Sequence, residues 1–168
     1  MRKLDLKDSI GTLILLTSKS LEGVAEYEIK AKLGLTPSQW KVILALNLFD
    51  GLSQRELADK IYVDSSTLVP VIDKMEENGL LERKPDPHDR RHNRLYLTKK
   101  SESIVDSIIE IILQLRKVLY KGLSPNDMKL IRPILNKIII NAKRFLDEPK
   151  PANKSKTKLI TKLTNRDS

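Results

Sequence analysis

Apolar residues return along most of this chain at spacings of three and four, the period of a helix buried along one side. Residues 5–33 carry Ile10, Leu13, Ile14, Leu21, Val24 and Ile29 between Glu and Lys, and Gly34 ends the run. Thr36-Pro37 is a helix start, a cap followed by proline at the first helical position. The helix it opens presents Trp40, Ile43, Leu44, Ala45 and Leu48, and Asp50-Gly51 turns the chain after it. A short helix then begins at Ser53. Glu56, three residues on, completes a capping box, and Leu52 and Leu57 are spaced as a hydrophobic staple. After a turn at Tyr62-Val63, Asp64 or Ser65 caps a second helix with Leu68, Val71, Ile72 and Met75 on one face. Asn78-Gly79 ends it, with Gly79 suited to the left-handed position and Leu80 to folding back on Met75. Residues 80–84 and 94–97 read as two strands. Helices resume over 101–120, through Ile104, Ile108, Ile111, Leu115 and Val118, and from Pro125 to about Leu146, through Ile131, Ile134, Leu135, Ile138, Ile139, Ala142 and Phe145. Pro133 inside the last of these predicts a kink.

Two short helices joined by a tight turn make a helix-turn-helix, whose second helix is the one that enters a major groove. Helical hairpins are common in proteins that touch no DNA, so the next segment matters. PDPHDRRHN, rich in turn residues and arginine, joins the two strands, and a two-stranded ribbon after a recognition helix is a wing. Charge changes the picture in the same direction. The formal net charge is +9, and it is uneven. Residues 83–94 hold Arg83, Lys84, Arg90, Arg91 and Arg94 against Asp86 and Asp89; residues 149–168 hold five lysines and Arg166 against Asp167. The rest of the chain is close to neutral. A solubilising surface charge explains the tail equally well but not the wing. The excess is placed as in a protein that presents chosen surfaces to phosphate.

These elements resemble the MarR family of winged-helix transcriptional regulators. Asp86-Pro87-His88-Asp89-Arg90-Arg91, five residues, then Leu97-Thr98 is similar to that family's wing signature, DPxDRR followed by LT. Leu35-Thr36-Pro37-Ser38-Gln39-Trp40 and Leu52-Ser53-Gln54-Arg55-Glu56-Leu57-Ala58 resemble its second and third helices. Asp64-Ser65-Ser66-Thr67-Leu68-Val69-Pro70 resembles the recognition helix of its organic-hydroperoxide-sensing branch, which tolerates a proline there. The order of elements agrees over roughly 5–147, and the specific motifs lie between about 35 and 98. The resemblance implies a homodimer formed by the first helix and the last two, often released from DNA by a small anionic or aromatic compound. The apolar surface of those helices, more than one winged helix can cover, points to the same isologous dimer; the alternative is that they wrap their own domain.

The fold class expected is mainly α with a small β-wing. It comprises an N-terminal dimerisation helix (1–34), a winged helix-turn-helix (35–99), C-terminal dimerisation helices (100–147) and a basic disordered tail (148–168). Candidate contacts to double-stranded DNA are Asp64, Ser65, Ser66, Thr67, Val69, Pro70 and Lys74 on the recognition helix, and Ser53, Gln54 and Arg55 at the start of the helix before it. On the wing they are Arg83, Lys84, His88, Asp89, Arg90, Arg91 and Arg94. Asp89 repels phosphate, so its expected use is to hold Arg90 or Arg91 in one rotamer; for Ser53, capping is the bland reading. Two histidines in a turn-rich loop make a poor metal site. There is no cysteine, which excludes disulfides and a reactive-thiol peroxide sensor in this chain. No G-x-S-x-G or phosphate-binding glycine loop is present, so the reading is non-enzymatic and without a cofactor. No apolar run approaches the roughly 18 residues of a membrane span, and a cytoplasmic location is expected. The functional reading is a homodimeric, sequence-specific regulator on a pseudo-palindromic operator, most simply a repressor, open to a small-molecule effector. The alternatives are an architectural DNA binder that relies on its tail and a winged-helix adaptor that binds protein.

Overall fold

The computed structural model describes residues 9–89 and 91–148. Readings that fall on residues 1–8, Arg90 and the tail 149–168 lie outside them. The order of elements is α1 (Ile10–Leu33), α2 (Pro37–Leu48), β1 (Leu52–Ser53), α3 (Gln54–Ile61), α4 (Ser65–Glu77), β2 (Leu81–Pro85), β3 (Asn93–Leu97), a 3-10 turn (Lys99–Ser101), α5 (Glu102–Leu119) and α6 (Pro125–Asp147). They fall into two units, one ending at Lys121 and the other beginning at Gly122.

In the first unit the helix ends are fixed locally. Thr36 and Ser53 both form complete capping boxes, with Gln39 and with Glu56. Gly34 closes α1 in the left-handed conformation, φ 68°. At the end of α4 the Gly79 N–H donates to the Glu76 carbonyl (2.8 Å) and the Leu80 N–H to the Met75 carbonyl (2.9 Å), a complete Schellman turn. Asp64 occupies the N-cap position of α4, but its side chain makes no capping bond. The Asp64 carbonyl instead accepts from the Thr67 N–H (3.0 Å) and hydroxyl (2.7 Å).

The core is aliphatic. Ile29, Val42, Ile43, Leu57, Leu68, Ile72, Met75, Leu81, Leu95 and Ile108 are all essentially inaccessible, and Trp40 packs among them. Each such side chain contributes about 1.5–3 kcal/mol through burial. The face of α4 set at spacings of three and four is the buried one, which leaves Ser66, Thr67, Val69, Pro70 and Lys74 outward. The α1 helix packs on α5.

The sheet has three strands where the pattern predicts two. Leu52 and Ser53 form β1, antiparallel to β3 with Leu52 opposite Leu95 and Ser53 opposite Arg94. The order is β1-β3-β2, with Arg83 opposite Leu95 and Lys84 opposite Arg94. Gly51 turns the chain into β1 with φ 72°. A Cβ there would stand 2.9 Å from the Tyr96 hydroxyl, so the ring lies directly over the turn. Thr98 joins the end of β3 to the end of α4, its hydroxyl donating to the Gly79 carbonyl (2.6 Å) and its N–H to the Leu80 carbonyl (3.1 Å).

The second unit is α6. Ser124 and Asp127 form its capping box behind Pro125, and the helix is continuous through Pro133. None of its residues is buried; Ile131, Ile134, Leu135, Ile138 and Ile139 line it at helical spacing. No helix among the described residues is long and apolar enough to cross a membrane.

Candidate nucleic-acid interface

The N-terminal ends of α3 and α4 and the ribbon β2–β3 surround a cleft of about 540 Å³. Ser53, Gln54, Arg55, Ser65, Arg83, Arg91 and Arg94 line it, with Asp86, His92 and Asn93. Both helices point amide groups of their first turns toward this side, which favours anions. Ser53 spends its hydroxyl on the cap, accepting from the Glu56 N–H at 3.2 Å. The Gln54 amide nitrogen donates to the Ser65 carbonyl (2.9 Å) and hydroxyl (3.3 Å), which fixes the two helix starts relative to each other. Arg55 is exposed at the rim. Outside the cleft, Ser66, Pro70 and Lys74 are exposed one helical turn apart on α4, with Thr67 and Val69 beside them.

The wing is held by carboxylates. Asp86 is almost fully buried and accepts the N–H groups of His88 (2.8 Å) and Asp89 (3.4 Å) on one oxygen and the Arg94 Nε (2.6 Å) on the other. These bonds, the His88 N–H foremost and Arg94 next, pull its carboxyl down to about 2. Arg94 also donates through Nη1 to the Gly51 carbonyl (3.0 Å) and to Glu56 (2.9 Å). Glu56 is lowered by its bonds to Ser53 in the capping box, with Arg94 adding to the effect. At the tip, the Asp89 carboxylate takes a two-pronged bond from Arg91, Nε at 2.9 Å and Nη2 at 2.7 Å, and is lowered by it. Asp89 thus holds Arg91; Arg90, the other partner expected for it, is outside the described residues. His88 is exposed at the turn.

Arg83 faces the opposite way. Its guanidinium donates to Asp73 (2.5 Å) and to Glu76 of α4, and its own N–H donates to Glu76 (3.2 Å). Burial lowers its affinity for the proton, but the bonds from Asp73 and Glu76 outweigh that and raise it. Lys84 pairs with Glu82 (2.7 Å) and lies over the Tyr96 ring, 5.0 Å from its centre. Pattern reading gives Asp86, Asp73, Glu76 and Glu56 no part in holding the wing. Asp86, in an Asp-Pro-x-Asp turn, and Glu56, in its capping box, carry local signals, but neither points to its arginine.

A second cleft, of about 620 Å³, lies between α1, α2 and the end of α3. It is lined by Glu22, Trp40, Lys41, Phe49, Lys60, Tyr62 and Val63 among others. The Trp40 Nε1 is buried and has no hydrogen-bond partner among the described residues. Lys60 stands 4.1 Å above the centre of the Phe49 ring.

Residues 35–92 match the profile of the MarR family. Among solved structures the chain is similar to the transcriptional regulator PA3341, at 29% identity and a TM-score of 0.76, over 81% of this chain and 99% of that one. It shares its fold with BpsR of Bordetella bronchiseptica, whose DNA binding is regulated by 6-hydroxynicotinic acid (23% identity, TM-score 0.69, 82% of this chain and 97% of that one). It shares it equally with the transcriptional repressor CouR, solved on a 23-mer DNA duplex (23% identity, TM-score 0.69, 83% and 98%). The wing signature, the helix-turn-helix and the three-stranded sheet thus agree with the family profile: residues 35–92 carry a MarR-family region, and the fold is that of the winged helix-turn-helix regulators the chain is similar to.

Proposed function

We propose that this regulator works as a homodimeric, sequence-specific repressor. The observation that carries the reading is the arginine-lined cleft between two helix N-termini and the wing, with Ser66, Thr67, Val69, Pro70 and Lys74 exposed beside it. The α4 helix enters a major groove. Hydroxyls at its leading end reach base edges or phosphates, Pro70 offers an apolar edge to a thymine methyl, and Lys74 meets phosphate. Ser53, Gln54 and Arg55 seat the α3 N-terminus on the backbone. Arg91, with its guanidinium braced by Asp89, enters the flanking minor groove, and Lys84 adds charge on the ribbon. The uncovered apolar faces of α6 and of the first half of α1 are what an isologous dimer buries. Two recognition helices then sit about 34 Å apart on a pseudo-palindrome. Repression follows from occupying a promoter, as CouR's description as a repressor on DNA supports, and the site of action is the cytoplasm.

A footprint on the DNA upstream of the protein's own gene, at near-physiological salt with excess random competitor, tests this. The expected result is a protected palindrome of about two helical turns. Binding that the competitor abolishes would replace the regulator with a largely sequence-independent DNA binder.

The second cleft supports an effector as well. It combines aromatic faces with Lys60 and Lys41, and its end wall, Lys60 to Val63, leads directly into Asp64 and α4. A small aromatic anion seated there biases the recognition helix between two positions. Trp40 is the single tryptophan of the chain, so titration of its fluorescence with aromatic carboxylates reads occupancy directly.

A further inference from the structure

We propose that Arg83 and Arg94 are positioning residues that lock the wing onto the two helices of the helix-turn-helix. On this view they do not contact DNA, and they fix where the exposed Arg91 stands relative to the recognition helix. The inference rests on the DNA-binding reading above.

The wing's described arginines divide sharply by exposure. The side chain of Arg91 is 85% exposed, against 24% for Arg83 and 30% for Arg94. They divide in their partners too. Arg91 has one carboxylate, its neighbour at the wing tip. Arg83 has two, Asp73 and Glu76, both on α4. Arg94 has two, Asp86 and Glu56, plus the Gly51 carbonyl. Each of these two clusters therefore holds one positive and two negative charges. Neither offers net positive potential to a phosphate, although a count along the chain scores both as basic.

Strand register places the two anchors on opposite faces of the ribbon. Arg83 is opposite Leu95 and Lys84 is opposite Arg94. Side chains alternate along a strand, so Arg83 leaves on the side of Leu95 and the core, toward α4. Arg94 leaves on the other side, toward the Gly51 turn and the start of α3. One face of the wing is thus tied to the recognition helix and the other to the helix before it. From Arg94 the ties continue outward. Asp86 joins it to the amides of His88 and Asp89, and Asp89 holds Arg91. The position of Arg91 is set through this series, and a displacement near 1 Å at a contact atom is enough to lose it.

The sign of a charge change separates positioning from contact. Removing a carboxylate that merely opposes DNA strengthens binding; removing one that holds the wing weakens it. The experiment measures operator affinity against salt for the full chain, for Asp86→Ala, for Asp86→Asn, for the Asp73→Ala/Glu76→Ala pair and for Arg91→Ala. Loss of about tenfold or more is expected in Asp86→Ala and in the α4 pair, and, because it acts through Arg91, the salt slope should flatten in these variants too. Arg91→Ala should lose affinity and also flatten the slope by about 0.9, the loss of one phosphate contact. Asp86→Asn keeps the acceptor for the turn amides and gives up the charge, so it should still weaken binding, by less. Carboxylate variants that bind as tightly as the parent, or more tightly, overturn the proposal. Amide exchange at His88 and Asp89 in the free protein gives an answer without DNA. Faster exchange at both in Asp86→Ala and in Arg94→Lys is expected, and unchanged exchange counts against the lock. If the parent chain protects no operator, the DNA reading fails while the exchange result still stands.

Discussion

The winged helix and α6 are both rich in aliphatic residues, yet they dispose of their apolar side chains in opposite ways. In the winged helix, Leu57, Leu68, Ile72, Met75, Leu81 and Leu95 meet one another across two helices and a sheet and are sealed from water. Its polar groups are as fully employed. Capping boxes close α2 and α3, Thr98 closes the end of α4, and Asp86, Arg94 and Arg83 tie the wing down. In α6, Ile134, Leu135, Ile138 and Ile139 form as regular an apolar line, but each remains 37–56% exposed. Its capping is as good as that of α2. Local signals therefore make both regions helical, and they do not decide which region is complete. A winged helix closes its own core; a lone amphipathic helix has only one side and must borrow the other. On the proposed function, the difference separates a reading head from a surface for a second copy.

The largest expected effect comes from attacking the open seam. In the proposed dimer, replacing Ile134 and Ile138 together by glutamate adds four charges to the symmetric interface and removes four isoleucines from it. Each buried isoleucine is worth about 1.5–3 kcal/mol, so the dimer should weaken by about 100-fold or more in sedimentation equilibrium. Operator binding should fall with it, because half-sites are read in pairs. The same substitutions should leave the melting of the winged helix nearly unchanged. A variant that stays dimeric would show that the seam is covered in some other way, and the contrast between the two regions would lose its meaning.

Which features were legible in advance follows from the same contrast. The Schellman turn at Gly79-Leu80, the box at Ser53 and the buried face of α4 are all settled within a few residues, and a pattern of that length contains them. The first strand was not legible. Leu52 and Ser53 are strand only because Leu95 and Arg94, more than forty positions away, complete the ladder. The wing's charge was misleading for a related reason. Counted along the chain, residues 83–94 are basic. In space Asp73 and Glu76 reach Arg83, and Glu56 reaches Arg94, so two of the cations are already neutralised. The tie of Asp89 to Arg91 was legible because the partners are two residues apart. Asp86 was missed as a site residue because its arginine lies eight positions on, across the turn.

Acid should separate the two regions by mechanism. The wing depends on carboxylates that must stay ionised, and the helical seam depends on apolar contact. Asp86 titrates near 2 in the folded chain against an ordinary 3.8, held down first by the His88 amide and then by Arg94. A depressed carboxylate stabilises the fold above its ordinary value, and that contribution is lost as pH falls through the folded one. Asp89 and Glu56 are shifted the same way. Amide protection at His88 and Asp89 should therefore decline between about pH 4 and pH 2, ahead of the helical signal of the chain. If the wing and the helices lost protection together, the carboxylate ties would not be what distinguishes them.

The smallest effect tests the joint inside the reading head. Tyr62 ends α3 in the left-handed region, φ 58° and ψ 48°, and is the one residue other than glycine with positive φ among those described. Its ring is 84% exposed, so little packing repays the conformation. A side chain held there costs about 1 kcal/mol relative to glycine, offset in part by the greater freedom glycine has when unfolded. Tyr62→Gly should raise the urea midpoint slightly, by a stabilisation of about 0.5 kcal/mol, without changing the denaturant slope. The residue also borders the second cleft and directly precedes the turn into α4. Stabilisation with unchanged operator affinity would make the strain a plain cost of a two-helix turn. Stabilisation with weaker operator binding, or with a lost Trp40 response to aromatic carboxylates, would mean that the exposed ring is retained for what it touches outside the fold.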